Sequence, residues 1–126
     1  MEDLHFKGIV NYLGQIPDTR DLMREMHCLI LPTYHPEGLS NVLLETAATG
    51  RPAICTSRPG CREVVQDGLN GLYCEARNVD NLVYVVDGFC AMSESRHADM
   101  GLEGRRIAES RFDRTKVVKE YLELLR

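Results

Sequence analysis

Short apolar runs, each bounded by proline, glycine or turn residues and separated by segments of helical period, constrain this chain more than any other feature. The run Cys28-Leu-Ile-Leu31 is wholly apolar and stops at Pro32. A strand without polar alternation is covered on both faces, as the strands of a parallel sheet are. Pro52-Ala-Ile-Cys-Thr56 repeats the pattern, and Leu72-Tyr-Cys74 follows the turn-rich Asp67-Gly-Leu-Asn-Gly71. Residues 9–13 (IVNYL), closed by Gly14, read as a further strand, which makes about four.

Helices fill the intervals. Asp18 or Thr19 can cap one that runs to about Met26, with Leu22, Met23 and Met26 inward. Residues 40–49 form a second, placed for termination by Gly50. Residues 58–61 make a turn and 62–66 a short helix. After Asn78 the pattern is helical throughout. Val79, Leu82, Val86, Phe89 and Cys90 share one face, a helix spans 94–111, and the last spans 114–125 with Val117, Val118, Tyr121, Leu122 and Leu125 as an apolar stripe. The alternation predicts an α/β, Rossmann-like parallel sheet with flanking helices and an all-helical C-terminal tail. Such sheets take ligands beyond the carboxyl ends of their strands, here residues 32–39 and 57–62.

The 126 residues suggest a single domain. Fifteen Lys and Arg against nineteen Asp and Glu leave a net charge of −4, which argues against a basic nucleic-acid grip. No apolar run approaches the ~20 residues of a membrane span, and Met1-Glu-Asp-Leu-His-Phe-Lys7 is too charged for a signal peptide. The five cysteines show no CxxC spacing and read as small buried hydrophobes in a reducing compartment. Cys61, in the polar turn Gly60-Cys-Arg-Glu63, is the exception expected to be partly exposed.

The loop after Leu31 carries Glu37, then Gly38-Leu39-Ser40 leading into a helix, then Glu45. A helix start offers unpaired N–H groups and a positive dipole end, a natural phosphate seat. Gly38 lets backbone approach closely. Glu37 before the helix and Glu45 about one and a half turns inside it would stand roughly 8–12 Å apart. That is about the distance between the sugar and ribose hydroxyls of a nucleoside diphosphate-sugar, and carboxylates accept from paired hydroxyls. From spacing alone, a solvated helix face is the commoner explanation. A glycosidase dyad finds no support, because nothing places a substrate between the two acids.

The stretch Leu31-Pro-Thr-Tyr-His-Pro-Glu-Gly-Leu-Ser-Asn-Val-Leu-Leu-Glu-Thr-Ala-Ala-Thr-Gly-Arg-Pro-Ala-Ile54 resembles the donor-site signature of retaining GT-B glycosyltransferases of family 4 (group 1), whose Glu-x7-Glu pattern falls on Glu37 and Glu45. Arg58-Pro-Gly-Cys-Arg-Glu-Val-Val65, Asp67-Gly-Leu-Asn-Gly-Leu72, Tyr12-Leu-Gly14 and Arg111-Phe-Asp113 extend the likeness over roughly residues 8–125. The Gly60–Glu63 variant is similar to bacterial enzymes of capsular, exo- or lipopolysaccharide synthesis. The resemblance implies that Glu37, the catalytic-site acid, binds donor-sugar hydroxyls. Gly38, Leu39 and Ser40 present amides to sugar and phosphates, and Glu45 binds the ribose. Arg58–Gly60 border the sugar pocket on a weaker match. Asn41 suits a capping or bracing role, and His35 an exposed loop position.

It also implies a nucleotide-sugar substrate, UDP-sugar before other NDP-sugars, with no metal and no separate cofactor. The acceptor is a saccharide or lipid-linked saccharide, met in the cytoplasm or at the cytoplasmic face of the inner membrane. The likeness covers the C-terminal, nucleotide-sugar-binding lobe; the N-terminal acceptor domain and the basic residues assigned to the donor phosphates find no match. The expectation is therefore a partial domain over 1–126, inactive alone, with self-association through surface uncovered by truncation. A non-catalytic nucleotide-binding or interaction module and one subunit of a split glycosyltransferase stand as alternatives.

Overall fold

The computed structural model describes residues 7–35 and 38–125. Its order is α1 (Arg20–Glu25), β1 (Leu29–Leu31), α2 (Asn41–Ala48), β2 (Ala53–Thr56), β3 (Gly71–Cys74), α3 (Val79–Ala91), α4 (Glu94–Arg111) and α5 (Arg114–Leu124). The strands form a parallel sheet in the order β1-β2-β3. Central β2 is buried along its whole length, as its apolar composition requires. Its alternating side chains feed two cores. Ala53 and Cys55 join Leu43 and Ala47 of α2, Cys61, Val64, Val65 and Ala108 of α4. Ile54 joins Cys74, Phe89 of α3 and Met100 of α4. Helix α4 thus serves both layers.

Residues 9–13 form no strand: Ile9 and Tyr12 are largely exposed, so the described sheet has three strands, not four. Residues 62–66 are turns and irregular chain, not a helix, because buried Asn70 captures the backbone there. Its Oδ1 accepts from the Gln66 N–H at 2.7 Å and its Nδ2 donates to the Val64 carbonyl at 3.0 Å. The Tyr73 hydroxyl donates to the Val65 carbonyl. These carbonyls and amides are therefore satisfied without continuing a helix. Cys61 is buried at 3 % exposure, against the expectation from its polar neighbours, because the turn folds into the core beside Leu43. Cys90 and Val79 are exposed; the inner face of α3 is Leu82, Val85, Val86 and Phe89. Leu22 is also exposed, and Met23 is what α1 buries. Along α5, Val118, Tyr121, Leu122 and Leu125 face outward.

Two glycines set the spacing between α2 and α4. A Cβ on Gly101 would stand 2.1 Å from the Gly50 carbonyl oxygen, so only glycine fits there. Gly104 faces Ala47 at ordinary contact distance. Gly50 itself has φ 76°, the left-handed conformation that ends α2.

Candidate functional site

Strand β1 ends at Leu31, and the chain returns as α2 at the carboxyl edge of the sheet. Ser40 is the N-cap, its Oγ accepting from the Leu43 N–H at 3.4 Å. Asn41 is the first helical residue; the cap is Ser40. The buried Ser40 also donates its own N–H to the Gly60 carbonyl at 3.4 Å, which ties the start of α2 to the turn after β2. Of the three amides expected to face a donor, those of Gly38 and Leu39 belong to exposed residues, while that of Ser40 is taken by this bond. Gly60, with φ 89°, donates its own N–H to the Glu63 carboxylate, at 2.5 Å. Glu63 therefore braces the turn, a role its sequence position did not reveal. Arg58 begins this turn, and among the described residues its buried Nε has no hydrogen-bond partner.

Glu45 is exposed on the same face of α2 as Asn41, one turn further along. It enters no ion pair among the described residues. Glu45 borders two grooves. One, of 410 Å³, includes Leu44, Ala48, Arg105, Ala108 and Phe112. The other, of 490 Å³, includes Arg20, Met23, Arg24, Thr49 and Arg105. Arg105 is spent in part on Glu109, at 2.8 Å, and on the Ala48 carbonyl at the end of α2, at 2.5 Å. Glu37 lies outside the described residues. His35 is exposed and packs against Tyr34 with ring centroids 4.2 Å apart and the planes tilted by 37°.

Burial pushes Cys28 up to about 12 and raises Cys55 and Cys74, so their thiolate forms are suppressed. Among the described residues no group of three or more His, Cys, Asp or Glu could hold a metal ion, and no helix is long and apolar enough to cross a membrane. Near the second groove, Asp18 is held down to about 2 by the hydrogen bonds and charge of Arg20, a contact at the start of α1.

The arrangement, a capped helix opening at the carboxyl edge of a parallel sheet, recurs in known proteins. The chain is 28% identical over 123 residues to the lipopolysaccharide core biosynthesis glycosyltransferase LpsE of Rhizobium meliloti, covering 98% of this chain and 36% of that protein. It is 32% identical over 123 residues to N-acetyl-alpha-D-glucosaminyl L-malate synthase of Bacillus anthracis, covering 96% and 31%. The crystal structure of Anabaena HepE in complex with UDP has a TM-score of 0.87 to this chain at 23% identity, covering 98% of this chain and 34% of HepE. The C-terminal domain of LpcC, a group 1 family glycosyl transferase of Francisella tularensis, has a TM-score of 0.70 at 17% identity, covering 88% and 59%. The chain thus spans about a third of the length of the curated relatives it matches. The model of the family "Glycosyl transferases group 1" matches residues 2–90. With that match and a fold shared with GT-B enzymes, the chain belongs to the group 1 glycosyl transferases.

Proposed function

We propose that this chain is the nucleotide-sugar-binding, C-terminal lobe of a retaining glycosyltransferase that moves a hexose from an NDP-sugar, UDP-sugar first, to a polysaccharide or lipid-linked acceptor. The observation that carries the reading is the start of α2: exposed Gly38 and Leu39 in front of the helix, and exposed Glu45 on its flank. The positive end of the helix and these amides suit a diphosphate. Glu45 accepts from the ribose hydroxyls and Glu37, the catalytic-site acid, from hydroxyls of the transferred sugar. That HepE, which shares the fold, was crystallised with UDP and with UDP-glucose supports the ligand class. The C-terminal LpcC domain supports the assignment of residues 1–126 to a C-terminal lobe.

The acceptor is engaged by the family's N-terminal domain, and the reaction takes place in the cytoplasm or at the cytoplasmic face of the inner membrane. The helix dipole contributes up to about 1–2 kcal/mol toward an anion. On that contribution alone, the 126-residue chain binds nucleotide weakly and transfers no sugar detectably. Exposed Ile9, Tyr12, Leu13 and Ile30, with Val118, Tyr121 and Leu122 of α5, favour self-association of the isolated chain.

Titration calorimetry with UDP on wild type and Glu45→Ala tests the site. A hydrogen-bonded carboxylate contributes about 1.5–3 kcal/mol, so the variant weakens binding roughly 10- to 100-fold. Equal affinities of the two proteins refute the ribose assignment. Light scattering across a concentration series tests self-association, which a constant monomer mass refutes.

A further inference from the structure

Strands β1 and β3 are separated by β2, so their carboxyl ends lie about 9–10 Å apart. Yet the segments leaving them meet. The guanidinium carbon of Arg77, in the turn after β3, sits 4.3 Å from the centroid of the Tyr34 ring, in the loop after β1. Arg77 has φ 55°, and no other non-glycine among the described residues has a positive φ. Left-handed backbone at a residue with a Cβ persists where its neighbours over-determine it. Here they do. The Asn81 Oδ1 accepts from the Glu75 N–H at 2.7 Å, the Asn78 Nδ2 donates to the Glu75 carboxylate at 2.7 Å, and the Asn78 Oδ1 accepts from the Asn81 N–H at 2.9 Å. The turn is bound to the start of α3 on both sides of Arg77.

At the other end, the Thr56 hydroxyl donates to the Thr33 carbonyl, and Ser40 is fixed by Gly60. Between these two ties, the Arg77–Tyr34 contact joins the donor loop to another element. We propose that Arg77 is a positioning residue: through Tyr34 it sets where Gly38 and Leu39, ahead of α2, hold their amides. The ligand part of this inference rests on the nucleotide-sugar reading above; the clamp does not.

The test uses the 126-residue chain. Arg77→Gly accepts the left-handed backbone without steric cost and removes the guanidinium. Its melting temperature stays at or above that of wild type, while NMR order parameters at Gly38 and Leu39 fall from rigid values near ~0.85 toward ~0.6 or below. Tyr34→Ala gives the same loss and abolishes the upfield ring-current shift of the Arg77 side-chain protons. Tyr34→Phe keeps both, and the Arg77→Gly/Tyr34→Ala double variant loses no more than either single one. UDP-glucose binding weakens about two- to five-fold in Arg77→Gly, the range of an exposed cation–π contact, and UDP binding changes less. An unchanged loop in a folded Arg77→Gly, or additive effects in the double variant, overturns the clamp. If wild type binds neither nucleotide while the loop responds as described, the clamp is upheld and the nucleotide-sugar reading fails.

Discussion

Placing a single methyl group on α4 at two positions three residues apart gives opposite changes in stability. In Gly101→Ala the new Cβ stands 2.1 Å from the Gly50 carbonyl oxygen and 3.0 Å from its carbon. Both are backbone atoms. The Gly50 N–H is tied to the Ala47 carbonyl at 3.0 Å, and the Arg51 N–H, in the same peptide plane as the Gly50 carbonyl, to the Thr46 carbonyl at 3.1 Å, so backbone and not a movable side chain meets the new methyl. A carbon-to-oxygen contact of about 3.3 Å is needed, so α2 and α4 must separate by roughly 1 Å. Overpacking costs about 1–3 kcal/mol, with this contact at the upper end, and exchanging glycine for alanine inside a helix returns ~1 kcal/mol. The net loss is ~2 kcal/mol. At ~3–5 °C per kcal/mol for a chain of this size, the melting temperature falls by roughly 6–10 °C. In Gly104→Ala the nearest atom is Ala47 Cα at 3.5 Å, an ordinary contact, so the propensity gain dominates and stability rises by up to ~1 kcal/mol. Urea and thermal unfolding followed by circular dichroism measure both. A Gly101→Ala protein as stable as wild type refutes the close-approach argument, and with it the account of what sets the spacing between α2 and α4.

Two further predictions concern the thiols. Of the five cysteines, exposed Cys90 reacts first with an aromatic disulfide reagent, Cys28 slowly, and Cys55, Cys61 and Cys74 only on unfolding; early modification of Cys61, found by peptide mass mapping, contradicts its burial. Because the folded state raises Cys28 to about 12 and also raises Cys55 and Cys74, the unfolded chain loses those protons first. Stability is therefore fully present below the ordinary thiol range near pH ~8.5–9 and is lost as pH rises from there toward 12. Denaturant midpoints between pH 7 and pH 11 check the sign, which a flat profile contradicts.

The local pattern made the elements legible where side chains alone decide them. The apolar runs ending at Leu31 and Thr56 are β1 and β2, which pair in parallel, but among the described strands β1 is at an edge and its Ile30 is exposed, so it is not covered on both faces as its composition suggests; α4 begins after Ser93 and ends at Arg111, as its period and flanks indicate. What escaped depends on distant partners. Residues 9–13 have strand-forming side chains, but a strand also needs a ladder, and β1 pairs with β2 alone among the described strands. The turn at 61–66 is decided by Asn70, whose side chain replaces the bonds a helix would make. Cys61 looked polar from its neighbours, yet burial follows the fold of the turn under α2. At the candidate site, the start of α2 after Gly38-Leu-Ser40 and the place of Glu45 within that helix could be read from the residues; a ligand role for Glu45 came only from the family resemblance. The Ser40–Gly60 bond, the Glu63 brace and the Arg77–Tyr34 contact could not, because each joins segments whose proximity the sheet creates.

The most direct measurement is residue-resolved: amide NMR shifts of the isotopically labelled chain as UDP is added. The account predicts that the perturbed amides centre on Gly38, Leu39 and the first turn of α2, extend to Glu45, and shrink in Glu45→Ala. Saturable shifts confined to other surfaces, with residues 38–45 silent, contradict it.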